Sequence, residues 1–194
     1  HGGFRTGLAE VVFTTGIPNG VAGVTNLAAD GITSASAQLR GKVDDIGDAP
    51  PSITIRWGNE DGGSDQNGWD HTETLPSTHS GGFSVATSTA LDPNTRYFFT
   101  AFASNSSGDS IASPSLSFTT LPAVPAVTNV AASRIAADSA TIGGIVTDNG
   151  GEDPTMFIYW GTIDGGTDAD TWQNSILLGA QSNLANTNLN SLTS

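Results

Sequence analysis

The sequence contains the same unit twice. WGNEDGGSDQNGW at 57–69 recurs as WGTIDGGTDADTW at 160–172, and VTNLAA at 24–29 recurs as VTNVAA at 127–132. Both pairs are displaced by 103 residues, and one offset held over about 50 residues is strong support for an internal repeat. The 194-residue chain is therefore predicted to consist largely of a duplicated folding unit of about 100 residues.

Short segments with strand character fill each copy. SASAQLRGKV and SATIGGIV alternate small or polar residues with apolar ones, as half-buried strands do. SITIRWG and TMFIYWG are β-branched and aromatic, and in the first copy TRYFFTAFASN and SLSFTTLP follow, separated by SSGDS as a turn. No stretch has a convincing helical period. Short strands with turn signals roughly every 8–12 residues predict an all-β fold of the β-sandwich type.

The segment LDPNTRY at 91–97 resembles the tyrosine corner of fibronectin type III and related immunoglobulin-like sandwiches. The whole chain is similar to the fibronectin-type repeats that occur in tandem in large bacterial surface and secreted proteins. The resemblance implies two tandem sandwiches of this class, with Tyr97 bonded to nearby backbone. It further implies that Trp57, Trp160 and Phe118 are structural residues, the two tryptophans on strands that face the core.

The ends of the chain do not coincide with the ends of the repeat. GLAEVVFTT at 7–15 matches SPSLSFTT at 113–120, and Phe13 falls opposite Phe118. The predicted organisation is therefore a G-strand-like segment at 1–17, a complete sandwich at 18–121, and a second sandwich at 122–194 that lacks its F and G strands and is incomplete at its C-terminus.

Two explanations for this arrangement remain open. In one, the chain is a window on a longer tandem array, and flanking repeats of the same polypeptide complete the second sandwich. In the other, a terminal segment of a neighbouring copy completes it and produces a head-to-tail filament. In both, the sequence predicts exposed apolar faces and unpaired strand edges in the second sandwich.

Charge and composition exclude several classes of partner. The formal net charge is −13, with six basic residues, so binding to nucleic acid is not expected. No apolar run approaches the roughly 20 residues that a membrane span requires, so membrane insertion is not expected. The chain has no cysteine, and no nucleophile, P-loop or metalloprotease motif is present. We therefore expect a protein that is not an enzyme and requires no cofactor.

The repeated Asp-Gly-Gly motif is a candidate calcium site. Asp61 and Asp65 align with Asp164 and Asp168, and the adjacent glycines allow the backbone to present carbonyl oxygens. Calcium needs six to eight oxygen ligands, so two aligned carboxylates are too few by themselves. The competing and favoured interpretation is a structural turn between two strands, in which the carboxylates accept hydrogen bonds from nearby amides.

Three further residues are candidate sites. Trp69 and Trp172 are expected to be partly exposed, and each could stack on a sugar. Asn105 begins the sequon Asn-Ser-Ser on the predicted F–G turn and is a candidate for glycosylation.

These features predict a non-enzymatic, extracellular or cell-surface structural protein, a building block of a surface array or filament. Either flanking repeats of the same polypeptide or strand exchange with a neighbouring subunit would complete it. Its expected partners are copies of itself or flanking repeats. The alternative is an adhesin or carbohydrate-binding module that uses exposed tryptophans and the Asp-Gly-Gly loops to bind glycans.

Overall fold

The computed structural model describes residues 20–190 and Leu192, so the predicted G-strand-like segment 1–17 lies outside the described residues. The described chain is all-β, and its single short 3₁₀ helix is Ala169–Thr171. No helix within the described residues is long and apolar enough to cross a membrane. The thirteen strands are β1 Gly23–Asp30, β2 Gln38–Asp45, β3 Ser52–Gly58, β4 His71–Thr78, β5 Gly82–Ala86, β6 Arg96–Asn105, β7 Gly108–Ile111, β8 Leu116–Thr119, β9 Ala126–Ser133, β10 Ser139–Asp148, β11 Thr155–Trp160, β12 Asn174–Ala180 and β13 Leu184–Asn190.

The strands of the first repeat form two antiparallel sheets. One sheet has the order β1-β2-β5, and the other has the order β4-β3-β6-β7, with β8 also paired to β6. Inward positions on β3 are almost completely buried, because Ile53, Ile55 and Trp57 alternate with residues that face outward. Phe99 on β6 is buried with them. This is the strand order of a fibronectin type III-like sandwich.

A tyrosine corner closes one end of this sandwich. The backbone amide of Asp92 donates a 3.0 Å hydrogen bond to the hydroxyl oxygen of Tyr97, five residues later. The Tyr97 ring stacks on Phe118, with ring centroids 5.8 Å apart, and both side chains are buried. The Thr120 hydroxyl donates to the carbonyl of Asp92 at 2.6 Å. The loop before β6 is therefore held by both side-chain and backbone groups.

The strands of the second repeat form a three-stranded and a two-stranded sheet, with the orders β13-β10-β9 and β11-β12. Val146, Met156 and Ala185 form a small buried cluster against which Leu178 packs. All eight residues of β9 are exposed. Among the described residues of this repeat, no strand occupies the place that β6 has in the first repeat, beside β3.

The chain divides into two compact units whose limits differ from those of the sequence repeats. The described part of one unit comprises 20–28, Arg40–Val85 and Phe99–Leu116. That of the other comprises Ala29–Leu39, Ala86–Phe98, 117–190 and Leu192. The first unit contains the buried aromatic side chains of Trp57 and Phe99. The second contains the tyrosine corner and all of β9–β13.

One local prediction is wrong. The sequence predicts a turn for SSGDS, but the turn ends at Ser107, and Gly108–Ile111 is a strand. Its residues pair with β6 in antiparallel register, from Asn105 opposite Gly108 to Phe102 opposite Ile111. Polar Asp109 and Ser110 look like loop residues in the sequence, yet pairing with β6 holds them extended.

Candidate functional site

The first Asp-Gly-Gly loop, between β3 and β4, is closed by its own carboxylates. Asp61 accepts a hydrogen bond from the amide of Gly63 at 3.0 Å and one from the Ser115 hydroxyl at 2.6 Å. Asp65 accepts from the amide of Asn67 at 2.9 Å. Both acids therefore bond to the amide two residues further on, which is the hydrogen bond of an Asx turn.

The second loop, between β11 and β12, repeats this arrangement. Asp164 accepts from the amide of Gly166 at 2.8 Å, and Asp168 accepts from the amide of Asp170 at 3.1 Å and caps the 3₁₀ helix. The Thr171 hydroxyl donates to the carbonyl of Gly165 at 2.6 Å. The aligned acids thus make the same local bonds in both copies.

The two glycines of each motif have different roles. A Cβ at Gly62 would lie 2.7 Å from the Trp69 ring, and a Cβ at Gly165 would lie 2.7 Å from the Trp172 ring. The following residues, Gly63 and Gly166, have positive φ angles of 54° and 61°, which favour glycine. The first glycine therefore makes room for the tryptophan, and the second allows the chain to turn.

The two tryptophans at the end of the motif differ in environment. Trp69 is 8% exposed, so the expectation that it is partly exposed is wrong. The ring lies close to Gly62 of its own loop, as the Trp172 ring lies close to Gly165. Trp172 is partly buried, and its indole nitrogen donates to the carbonyl of Gly166 at 3.2 Å. Of the two, only Trp172 therefore has a ring that a ligand could contact.

Metal ligands do not gather at these loops. Within the described residues, no group of three or more His, Cys, Asp or Glu side chains is placed to hold a metal ion. The carboxylates of Asp61, Asp65, Asp164 and Asp168 are instead bonded to backbone amides. The motif is fully accounted for as a turn, and calcium binding remains a prediction.

Asn105, the candidate glycosylation residue, is held by the protein. Its side-chain nitrogen donates to the carbonyls of Gly20 at 2.7 Å and Ile46 at 3.1 Å, and its oxygen accepts from the amide of Ser107 at 2.9 Å. The nitrogen that a glycan would modify is therefore engaged in the folded chain. Glycosylation would replace one of the two hydrogens on this nitrogen, so the side chain could keep only one of its two N–H donors.

The aligned tryptophans Trp57 and Trp160 show how the two repeats differ. Trp57 is 1% exposed, its indole nitrogen donates to Glu73 at 3.1 Å, and its ring stacks on His71 at 4.1 Å. Trp160 is only partly buried and lines a cavity of about 560 Å³ between β10, β11 and β13. The core position is the same, but in the second repeat the described residues leave it open.

A second cavity of about 440 Å³ lies beside β9, β10 and β11. Val127, Asn129, Met156, Tyr159 and Trp172 are among its lining residues. Val127 is 59% exposed although it is apolar. Both cavities lie beside strands of the second repeat that no other described strand covers at these places.

An apolar patch on the outward face of β11 and β12 is not predicted from the sequence. Phe157 and Leu177 are cross-strand partners and are 48% and 58% exposed. The Phe157 and Tyr159 rings stack with centroids 6.2 Å apart. The sequence does contain a signal for this patch: Phe157 and Tyr159 stand where the first repeat has the polar residues Thr54 and Arg56.

One carboxyl group has a clearly shifted pKa. Asp44 on β2 lies 2.7 Å from the Lys42 ammonium and accepts a hydrogen bond from the Thr25 hydroxyl. The hydrogen bond from Lys42, followed by that from Thr25, lowers the pKa of Asp44 below its ordinary value. Asp44 lies on an exposed part of β2, outside both Asp-Gly-Gly loops and both cavities described above.

Comparison with known proteins gives structural likenesses only. No protein-family model matches the chain, and no curated protein matches it. Solved structures that resemble it include the sensor domain of the anti-sigma factor RsgI4 from Pseudobacteroides cellulosolvens, with 20% identity, 52% of this chain and 94% of that chain covered, and a TM-score of 0.35.

Two other likenesses extend over more of the chain. The FN1–FN3 domains of chicken CNTN1 share 17% identity, with 90% of this chain and 58% of that chain covered and a TM-score of 0.35. The chitinase ChiA74 of Bacillus thuringiensis shares 15% identity, with 87% of this chain and 26% of that chain covered and a TM-score of 0.35. These scores support no functional conclusion, and the fold class rests on the strand order and the tyrosine corner.

Proposed function

We propose that this chain is a non-enzymatic structural repeat protein of the cell surface or extracellular space, and that it is a building block of an array or filament. The observation that carries the proposal is the difference between two aligned strands. In the first repeat β3 lies between β4 and β6, whereas in the described part of the second repeat β11 is paired with β12 alone. A strand edge of this kind pairs readily with another strand.

The side chains around this edge support the same proposal. Strand β9 is exposed along its whole length, and Trp160 lies beside a cavity of about 560 Å³. Leaving so much apolar surface in water is unfavourable by roughly 25 cal/mol for each Å² that a partner could cover. Strands of a neighbouring subunit would cover it and join one copy to the next.

The first repeat would serve as a rigid spacer in such an assembly. The loop before β6 also contacts the second repeat, since the Asn94 side chain donates to the carbonyl of Gly151 at 2.9 Å. The linker amide of Ala123 donates to the carbonyl of Gly150 at 2.7 Å. These two bonds, which end on adjacent residues of the second repeat, would restrict bending at this joint.

Sedimentation velocity and negative-stain electron microscopy of the purified chain, over a wide range of protein concentration, would test the assembly. We expect species much larger than 19.7 kDa and particles that lengthen as concentration rises. A single species of monomer mass at every concentration would contradict the proposal. The chain should hydrolyse no polysaccharide, and any turnover that a single Asp or Glu substitution abolished would contradict the non-enzymatic assignment.

No cofactor is required in this proposal, and calcium is a candidate ligand of the Asp-Gly-Gly loops. Thermal unfolding in millimolar calcium and in EDTA would test it, with Asp65→Asn and Asp168→Asn as variants. A rise in Tm with calcium that both substitutions abolish would establish the site. Equal Tm values in the two solutions would leave the carboxylates as turn-forming groups only.

A carbohydrate-binding module is the second candidate function. The observation in its favour is that Trp172 and Tyr159 line the same cavity of about 440 Å³. Aromatic rings that are partly exposed in a concave surface are suitable for stacking on sugars. A glycan-array signal that Trp172→Ala removes, while Trp69→Ala leaves it in a chain that still folds, would favour this function.

A further inference from the structure

The loop between β10 and β11 contains an Asn-Gly step with acidic residues on both sides, in the sequence DNGGED at 148–153. A glycine that follows asparagine carries no side chain to keep its amide nitrogen away from the carbonyl carbon of the asparagine side chain. No other residue fits at Gly150, because its φ is 68° and a Cβ would lie 2.1 Å from the carbonyl oxygen of Ala123. The fold therefore requires an Asn-Gly step at this place.

Three hydrogen bonds engage the groups of this step that can react with one another. The backbone amide of Gly150 donates to the carboxylate of Asp148 at 2.8 Å. The side-chain oxygen of Asn149 accepts from the backbone amide of Gly151 at 3.1 Å. The side-chain nitrogen of Asn149 donates to the carboxylate of Asp153 at 3.4 Å. The attacking nitrogen, the oxygen of the attacked carbonyl and the leaving nitrogen each have a different partner.

Each partner has the chemistry that its part of the reaction needs. An amide nitrogen attacks only as it loses its proton, and the Asp148 carboxylate is in contact with that proton and can take it. The Gly151 amide donates to the oxygen on which negative charge develops during the attack. Asp148 and Asp153 are exposed and Asn149 is half-buried, so water reaches the loop.

We propose that Asn149 is a site of self-catalysed deamidation, in which the Asp148 carboxylate is the base. The Gly150 nitrogen gives its proton to Asp148 and forms a bond to Cγ of Asn149. The bond from Cγ to Nδ2 breaks, and the proton held by Asp148 passes to Nδ2, which leaves as ammonia. Water then opens the resulting cyclic imide at either of its carbonyls, so that an aspartate stands at 149. This proposal is independent of the proposed function.

The chain contains an internal reference for this reaction. Asn67 and Gly68 form another Asn-Gly step, in the first Asp-Gly-Gly loop. There the Gly68 amide donates to the backbone carbonyl of Asp65 at 3.1 Å, while the Asp65 carboxylate accepts from the amide of Asn67 instead. A carbonyl oxygen is far too weak a base to take an amide proton. Asn67 should therefore react more slowly than Asn149.

The reaction affects the joint between the repeats, because the residues that follow Asn149 carry its hydrogen bonds. The Gly150 carbonyl accepts from the amide of Ala123 at 2.7 Å, and the Gly151 carbonyl accepts from the Asn94 side chain at 2.9 Å. When water opens the imide at its main-chain carbonyl, the backbone runs through the side chain of residue 149 and gains one carbon atom. This displaces the Gly150 carbonyl, so the bond from Ala123 weakens as conversion proceeds.

Mass spectrometry of proteolytic peptides from the full-length chain, sampled during incubation in neutral buffer, tests the proposal. It detects the mass increase that accompanies replacement of the amide nitrogen by oxygen. Asn149 in the folded chain should convert faster than in a free synthetic peptide of residues 144–155, because only the fold holds the base against the amide. It should also convert faster than Asn67 in the same sample. Conversion slower than in the free peptide, or slower than at Asn67, would overturn the proposal.

Two isosteric variants separate the base from the acidity of the loop. Asp148→Asn still offers an oxygen to the Gly150 amide but cannot take its proton, and should slow conversion of Asn149 by about tenfold or more. Glu152→Gln removes a carboxylate from the same loop and should leave the rate close to the original one. Equal rates in the two variants would overturn the role of Asp148.

NMR hydrogen exchange of the Ala123 amide tests the effect on the joint. Exchange should become faster as Asn149 converts, and should stay constant in an Asn149→Gln chain that is kept for the same time. An exchange rate that is unchanged after full conversion would overturn the effect on the joint.

Discussion

At the residue scale, the Tyr97 hydroxyl is a single group with a measurable role. It accepts the amide proton of Asp92 at 3.0 Å in a partly buried site. Tyr97→Phe leaves this amide without its partner and should lower the free energy of unfolding by about 1 kcal/mol. Urea unfolding followed by circular dichroism measures the loss. Tyr159→Phe, at an exposed ring, should change the urea midpoint little. An equal loss of stability in Tyr159→Phe would contradict the role assigned to the Tyr97 hydroxyl.

Asp44 should contribute to stability in a pH-dependent way. Lys42 and then Thr25 lower its pKa in the folded chain, so its contribution is present above the unfolded pKa and is lost as pH falls through the folded value. Titration followed by the carboxyl carbon chemical shift should give a midpoint below that of an unperturbed Asp side chain. Lys42→Met should raise that midpoint and Arg134→Met should not, and an unchanged Asp44 midpoint in Lys42→Met would contradict the assigned cause.

The Asp-Gly-Gly motif shows what single residues can predict. Two acids, two glycines and their spacing are sufficient to predict a turn, because Asx turns depend on residues within the same short loop. The burial of Trp69 is not predictable in this way. The two aligned rings lie equally close to the first glycine of their loops, yet Trp69 is buried and Trp172 is partly exposed. The difference therefore comes from residues outside the repeated motif.

At the element scale, strands with apolar alternation are predictable and a polar strand is not. The inward and outward positions of β3 follow directly from SITIRWG, because successive side chains of a strand point to opposite faces. Strand β7 has no such pattern, and its sequence predicts part of a turn. Its extended conformation comes from pairing with β6, which is a tertiary contact that local sequence does not contain.

Gly41 on β2 should tolerate no side chain. A Cβ there would lie 2.3 Å from Cζ of Phe83 and 3.0 Å from the carbonyl oxygen of Thr25. Because Phe83 is buried, Gly41→Ala should destabilise the first repeat by about 1–3 kcal/mol. Gly81→Ala has no atom within 4 Å of the new carbon and should change stability by less than about 0.5 kcal/mol. Equal effects in thermal unfolding would contradict this packing argument.

At the scale of the whole molecule, the strand patterns and turn signals predict the all-β fold, and the alignment of the two repeats predicts an open second sandwich. Exposed apolar faces are expected on SATIGGIV and TMFIYWG, and the cavities beside β10 and β11 are found there. The outward patch at Phe157 and Leu177 is not predicted by the alignment. The alignment uses positions at which the two copies match, and the patch lies at positions at which they differ. The exposure of Asn129 is not predictable for the opposite reason. Asn129 aligns with an identical residue, Asn26, which is buried, whereas Asn129 is exposed.

The two repeats should respond unequally to the same substitution. Trp57→Ala removes a fully buried ring and its bond to Glu73, and should cost about 3–5 kcal/mol. Trp160→Ala removes a ring that is already partly exposed and should cost less than about 2 kcal/mol. Hydrogen exchange measured on peptides from each repeat separates the two effects, and equal losses would contradict the open state of the second repeat.

The two aspartates that precede the Gly-Gly pairs are restrained to different degrees, and this should affect their chemical ageing. Isomerisation at an Asp-Gly step requires the carboxyl carbon to reach the next amide nitrogen and close a succinimide ring. Asp61 is held by Gly63 and by Ser115, while among the described residues Asp164 is held by Gly166 alone. In a stored sample, peptide mapping should therefore detect isoaspartate at Asp164 before Asp61, so the same motif would age at two rates within one chain.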